Sequence, residues 1–276
     1  MGSLDGQVAV VTGCGRMKGL GRGIATALAA EGADLAVTDL RPGGVRNTVE
    51  SDDPEAAAGW RGLESLVEEL EGLGRRAIPV LGDVGMKDDV ERMVEEVLDH
   101  YGRIDILVNN AAAPHGEDRN WTWEVPEDAW DLVMRVNAKG VFLMNAAVVR
   151  HMLDRGGPGR IVNIASTCGR MGFVKRTPYC ASKFAVVGMT QVLAKEVAEY
   201  GITVNTICPG AMNTARWSST RLKIEAGADP GQVPVPLGRM GEPADIGAAV
   251  AFLAGPSGSF VTGQALSVNG GQYMFA

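Results

Sequence analysis

Metal and disulfide chemistry find little material in this chain. Only four of its 276 residues are cysteine and three are histidine, and Cys14, Cys168, Cys180 and Cys208 show no metal-ligand spacing. No metal is expected, and buried thiols are the natural reading. Basic residues are also in deficit: 26 Lys and Arg against 33 Asp and Glu leave a net charge of −7. Such a balance argues against nucleic acid or an anionic membrane as a main partner. No uninterrupted apolar run is long enough to span a bilayer, and the amino terminus has no charged, apolar, small-residue leader. A cytoplasmic, soluble protein is the expectation.

What is present is alternation. Short apolar strands are predicted near 7–12, 33–38, 76–82, 104–109, 160–165, 203–208 and 265–268. Amphipathic helices are predicted near 20–31, 59–72, 88–100, 127–154, 178–200 and 243–254. This pattern predicts an α/β protein with a doubly wound parallel sheet and helices on both faces. No second domain or internal repeat is visible, so 1–276 reads as a single domain. A polar insertion, 41–59, holds Pro42-Gly43-Gly44 and Ser51-Asp52-Asp53-Pro54. It reads as a surface excursion, with a partner contact as the alternative.

The amino-terminal unit is a strand, a glycine-rich turn and a helix. Gln7 to Thr12 leads into Gly13, Gly15, Gly19, Gly21 and Gly23, and a helical run follows. Backbone N–H groups and the positive end of the helix dipole would then face a bound pyrophosphate. The next strand ends in Asp39, eighteen residues after Gly21, near the spacing at which a carboxylate takes the adenosine ribose hydroxyls. A lone glycine cluster would say little; this order of elements says much more.

The second constellation is Tyr179-Cys180-Ala181-Ser182-Lys183, with Ser166 thirteen residues upstream of the tyrosine. A phenol with an ordinary pKa of about 10 is a poor acid or base at neutral pH. A lysine one helical turn away favours the phenolate and brings the group into working range. The Tyr-x-x-x-Lys spacing alone also occurs on ordinary surface helices. Here, however, Ser166 ends a β-branched run, Gly159 to Ala165, at the sheet edge where ligands of open α/β sheets bind. Cys168 and Cys180 lie beside these positions and are candidates for alkylation.

Together these segments resemble the short-chain dehydrogenase/reductase family over nearly the whole chain. Thr12-Gly13 with Gly19-Leu20-Gly21 is similar to its TGxxxGxG cofactor turn, and Asn109-Asn110-Ala111-Ala112 to its NNAG. The resemblance implies a Rossmann-type fold with Asn137, Ser166, Tyr179 and Lys183 as the catalytic set. It implies adenine contacts from Asp83 and Val84, and nicotinamide contacts from Pro209, Gly210, Met212 and Thr214. Asn110, Tyr179 and Lys183 would also meet the cofactor. The chain departs from the pattern twice: five residues rather than three separate Gly13 from Gly19, and Ala112 replaces a glycine. In the longer turn, Arg16 and Lys18 could reach phosphate or solvent.

Roles follow. In the oxidation direction Tyr179 takes the alcohol proton as hydride leaves for the nicotinamide, and Ser166 steadies the oxygen. Lys183 lowers the tyrosine pKa and holds the nicotinamide ribose. By resemblance, Asn137 binds a water that links Lys183 to solvent; in isolation it would read as a satisfied buried amide. Asp39 favours NAD, because a carboxylate accepts from both ribose hydroxyls and repels a 2′-phosphate. Arg41 and Arg16 keep NADP as the alternative.

The expected activity is hydride transfer between a small-molecule secondary alcohol and its ketone. A dinucleotide-sensing protein on the same fold would be expected to lack Tyr179 or Lys183, and sugar epimerases carry a longer carboxyl-terminal region. Substrate contacts are sought in His115, Trp121 and Trp123, and in a lid at about 212–238 containing Arg216, Trp217, Arg221 and Lys223. The lid's charges could equally form a solvated helix. Family members commonly pair the helices read at 127–154 and 178–200, whose exposed faces keep Ala, Val and Met. With the apolar tail Tyr273-Met274-Phe275-Ala276, this implies a homotetramer.

Overall fold

The structure is a computed structural model that describes residues 2–47, 54–215 and 235–275. Its strands are β1 (Val8–Thr12), β2 (Asp34–Asp39), β3 (Ala77–Leu81), β4 (Ile106–Asn109), β5 (Gly159–Ile164), β6 (Ile202–Pro209) and β7 (Ala265–Val268). They form one seven-stranded sheet in the order β3-β2-β1-β4-β5-β6-β7, and every pairing is parallel. The helices are α1 (Leu20–Ala30), α2 (Pro54–Ala57), α3 (Leu63–Gly72), α4 (Lys87–Tyr101), α5 (Glu127–Met134), α6 (Gly140–Arg155), α7 (Thr177–Val197) and α8 (Pro243–Ala254).

Both faces of the sheet are covered, which is why the strands read as continuous apolar runs. Side chains alternate across the pleat. Ala9 and Val11 of β1 join Ile24, Leu28, Ile246 and Val250 of α1 and α8 in one core. Val8 and Val10 face the other, with Met93 and Val97 of α4 and Met144, Val148 and Met152 of α6. Burying each such side chain contributes roughly 1.5–3 kcal/mol. The strand order reverses between β1 and β4, so the crevice at the carboxyl ends of these strands is where an open sheet of this kind binds its ligand.

Three expectations need correction. The helix read at 127–154 is interrupted by a π-helical turn, Arg135–Lys139, between α5 and α6. The helix read from 59 begins at Leu63 instead. Gly59 and Gly62 sit at φ +80° and +73°, a left-handed conformation that does not propagate a right-handed helix. The helix read to residue 200 leaves α-geometry after Val197 and closes as a 3-10 turn, Ala198–Tyr200. Among the described residues, Glu127–Arg155 is the one helix long and apolar enough to cross a membrane, and half of its apolar window is packed inside the fold.

Candidate active site

A cleft of about 380 Å³ opens at the β1/β4 crevice, within the size range of small-molecule sites. Gly13, Gly19, Leu20, Asp39, Asp83, Val84, Asn110, Tyr179, Lys183 and Thr214 all line it. Ten positions scattered over two hundred residues of sequence therefore line one cleft. Gly21, Asn137, Ser166, Pro209, Gly210 and Met212 are not among the residues lining it. Gly21 serves packing: a Cβ there would lie 2.3 Å from the Gly13 carbonyl oxygen. The Met212 side chain is buried in the core, beside a bridge from Met212 to Gly241.

The start of α1 is open to an anion. Its N-cap is Gly19, which has no side chain to cap with, and its first turn carries no acidic residue. Free N–H groups and the helix dipole thus face the cleft. Asp39 stands opposite. Its Oδ2 accepts from Gly15 N at 2.9 Å and its Oδ1 from Leu40 N at 2.8 Å. Burial raises its carboxyl pKa, against the downward pull of the Gly15, Leu40 and Arg41 amides and the Arg16 charge.

The lengthened turn and the polar insertion turn out to be one device. Glu55 is buried; its Oε2 accepts from Arg16 Nε at 2.7 Å and its Oε1 from Lys18 N at 2.9 Å. Trp60 Nε1 donates to Gly15 O at 2.8 Å. A Cβ on Gly15 would lie 2.2 Å from Gly44 N, so two glycines let the segments meet. Val45 and Asn47 of the insertion line the cleft as well. Within the described part of 41–59, Arg41 to Gly43 and Ala57 to Gly59 stay at the surface, while Asn47 and Glu55 turn inward. Arg16 spends its charge on Glu55 rather than on solvent.

Asn110 ties the end of β4 to the glycine turn, donating from Nδ2 to Thr12 O at 2.8 Å and Gly13 O at 3.0 Å. Asp83 accepts from Arg135 Nη1 at 2.5 Å and from Gly85 N at 2.8 Å. The π-helical turn carries Asn137 inward to 0% exposure. Its Oδ1 accepts from Ala113 N at 2.8 Å and its Nδ2 donates to Ser182 Oγ at 3.1 Å. A wide turn of this kind often marks a functional position.

Tyr179 and Lys183 lie on one face of α7, with Lys183 Nζ 5.8 Å from the tyrosine ring centroid. Lys183 is buried, and its Nζ donates to Ile164 O at 2.8 Å. Ser166 follows β5 and caps a 3-10 turn, its Oγ accepting from Cys168 N at 3.1 Å. All four thiols are free and buried. The Cys168 pKa is pushed down, because the Cys180 thiol donates to it and Arg176, Ser166 and Arg119 add their pull, against the opposing effect of burial.

The loop after β4 adds a cluster that sequence reading missed in part. His115, singled out beforehand, meets the Tyr179 ring edge-on at 6.2 Å. Arg119, unremarked in the sequence, puts its guanidinium 4.8 Å from the same centroid. Only its place directly after the acidic pair Glu117-Asp118 in a short polar loop could have hinted at a held cation. Trp121 and Trp123 stack on each other at 5.4 Å and stay exposed, at 41% and 79%; the nearby Lys175 covers Trp121. Arg216, Trp217, Arg221 and Lys223 lie outside the described residues.

Comparison with known proteins agrees with this geometry. A family profile described as enoyl-(acyl carrier protein) reductase matches residues 59–272. The chain is 37% identical to (2S)-[(R)-hydroxy(phenyl)methyl]succinyl-CoA dehydrogenase subunit BbsD of Thauera aromatica, over 99% of each chain. It is 36% identical to 2-dehydro-3-deoxy-D-gluconate 5-dehydrogenase of Escherichia coli, over 98% of this chain and 96% of that one. Among solved structures, 3-oxoacyl-[acyl-carrier protein] reductase from Brucella melitensis in complex with NAD superposes with a TM-score of 0.81 at 37% identity, covering 96% of both chains. With the parallel sheet, the glycine turn and the Tyr179–Lys183 pair in one cleft, the chain belongs to the short-chain dehydrogenase/reductase family, oxidoreductases of hydroxyl and keto groups.

Proposed function

We propose that the chain interconverts a secondary alcohol and its ketone, with NAD(H) as the preferred dinucleotide and Tyr179 as the acid–base group. The observation that carries this reading is a single cleft lined by Tyr179, Lys183, the glycine turn and Asp39. A dinucleotide fits the residues present. The uncapped start of α1 suits a pyrophosphate. Asp39, whose burial raises its pKa, gains from ribose hydroxyls the hydrogen-bond donors that burial removes. When bound, the nicotinamide supplies the hydride acceptor or donor.

The protein's own groups do the rest. Tyr179 exchanges a proton with the substrate oxygen, Ser166 donates to that oxygen, and Lys183 holds positive charge beside the phenol. Asn137, locked by Ala113 and Ser182, stiffens the ground under α7. NAD is favoured over NADP on two counts: Asp39 repels a 2′-phosphate, and Arg16, one of two arginines that could attract it, is neutralised by Glu55. The relatives named above act on substrates described as a succinyl-CoA derivative, a sugar acid and an acyl carrier thioester. Incubation with NAD or NADP against a panel of secondary alcohols, sugars and hydroxysteroids tests the reading. Growth of the reduced-nicotinamide absorbance with NAD is the expected result, and none with any member would count against it.

The reading includes a cytoplasmic homotetramer organised as a single domain. Its support is apolar surface on the helices proposed to pair: Phe142 on α6 is 56% exposed, and Phe184 and Val192 on α7 are 47% and 58% exposed. A second such region holds Phe252 of α8, Phe260 and Leu266 of β7. Exposed apolar side chains on several elements suit contacts between copies of the chain. Light scattering at micromolar protein should give four times the chain mass of 29.0 kDa; a monomer would overturn this.

A further inference from the structure

Tyr179 has two cations against its ring rather than one. Lys183 Nζ lies 5.8 Å from the centroid and Arg119 Cζ only 4.8 Å. Arg119 reaches this place from the loop between β4 and α5 and is held there by its neighbours. Its Nε pairs with Asp118 Oδ2 at 3.1 Å, and its Nη2 lies 2.6 Å from His115 Nε2. Its side chain is 11% exposed. A guanidinium remains charged at any working pH, and the pairing with Asp118 offsets part of the cost of burying it.

We propose that Arg119 is a positioning residue for Tyr179 chemistry: its guanidinium, over the ring face, favours the phenolate together with Lys183. The groups around Tyr179 and Arg119 carry both signs, with cations in the majority. From α7 come Lys183 and the Cys180 thiol; from the residue before α7, Arg176; from the turn after β5, Cys168; from the loop after β4, Arg119, Asp118 and His115. Lys183, Arg176 and Arg119 are cations; against them stand Asp118, which also accepts from Gly116 N at 2.8 Å, and Cys168, whose lowered pKa gives it thiolate character. A low local dielectric amplifies each of these charges. The oxidised substrate-binding form would then carry its base nearer neutral pH than a Tyr–Lys pair alone allows. That functional consequence rests on the proposed acid–base role of Tyr179; the electrostatic effect does not.

The phenols of the substrate-free, full-length protein can be titrated through their ultraviolet phenolate band, and the difference from Tyr179→Phe isolates the one signal. Arg119→Met should move the Tyr179 midpoint upward by about one pH unit or more, the scale set by an opposite charge within ~4–6 Å. Arg119→Lys, which keeps a charge at similar reach, should restore most of it. An unchanged midpoint in a folded Arg119→Met overturns the proposal. Lys183→Met decides the matter without touching Arg119. With the lysine gone, Tyr179 should still titrate below the ~10 of a free phenol, and a midpoint at or above that value also overturns the proposal. A shifted midpoint with no matching shift in the acidic limb of kcat/KM would instead remove the acid–base role from Tyr179 and leave the Arg119 effect standing.

Discussion

Tyr179→Phe is expected to abolish most turnover while leaving the dinucleotide bound. The change removes one hydroxyl and keeps the ring, so the contacts with Arg119, Lys183 and His115 that hold the ring persist. The glycine turn, Asp39 and the start of α1 lie on other elements and do not sense the substitution. What disappears is the group proposed to move the proton, and general acid–base catalysis typically supplies ~10²–10⁴-fold. Turnover with the best substrate of the panel should therefore fall by at least ~10²-fold, read from the reduced-nicotinamide absorbance at saturating NAD. NAD binding, measured by quenching of intrinsic fluorescence, should stay close to that of the wild type. A variant that kept most of its turnover would show that another group moves the proton.

The sheet was legible because each strand is a short apolar run between turn residues, and one parallel order satisfies seven such runs joined by helices. Most strand boundaries agree to within a residue or two for the same reason. What escaped sequence reading was tertiary. Arg135-Val136-Asn137-Ala138-Lys139 contains no glycine or proline to announce a wide turn. The turn exists because Asn137 is drawn inward to Ala113 and Ser182. Glu55 sits in a polar stretch whose composition implies solvent, yet it is buried because Arg16, thirty-nine residues away, needs a partner. Arg119 looks like a loop charge until the fold lays it on Tyr179. Charged residues buried by distant partners leave no periodic trace in a sequence, whereas apolar residues buried by a sheet do.

Asp39→Ala should change which dinucleotide the protein prefers and leave the chemistry alone. Asp39 ends β2 at one side of the cleft, and Tyr179 and Lys183 stand on α7. On the proposed reading, removing the carboxylate deletes the acceptors for the ribose hydroxyls and the charge that repels a 2′-phosphate. NAD affinity should therefore fall as NADP affinity rises. Charge-assisted hydrogen bonds are worth roughly 1.5–3 kcal/mol each, and each 1.4 kcal/mol is about tenfold in affinity. The NAD-to-NADP preference should move by at least about tenfold, with turnover at saturating cofactor little altered. Asp39 also accepts from Gly15 N, so part of the NAD loss could come from a loosened turn; only the rise for NADP isolates the charge. Glu55→Gln provides the complementary arm. It keeps a side-chain oxygen for Lys18 N, whose bond to Glu55 is 2.9 Å, but no longer neutralises Arg16. NADP should then gain without any loss of the Asp39 contacts to NAD. Michaelis constants for both cofactors in the wild type and the two variants decide between the sources of selectivity. A ratio unmoved by Asp39→Ala, or a wild type that already prefers NADP, would assign the choice to Arg16 or Arg41 and leave Asp39 as the end of a strand.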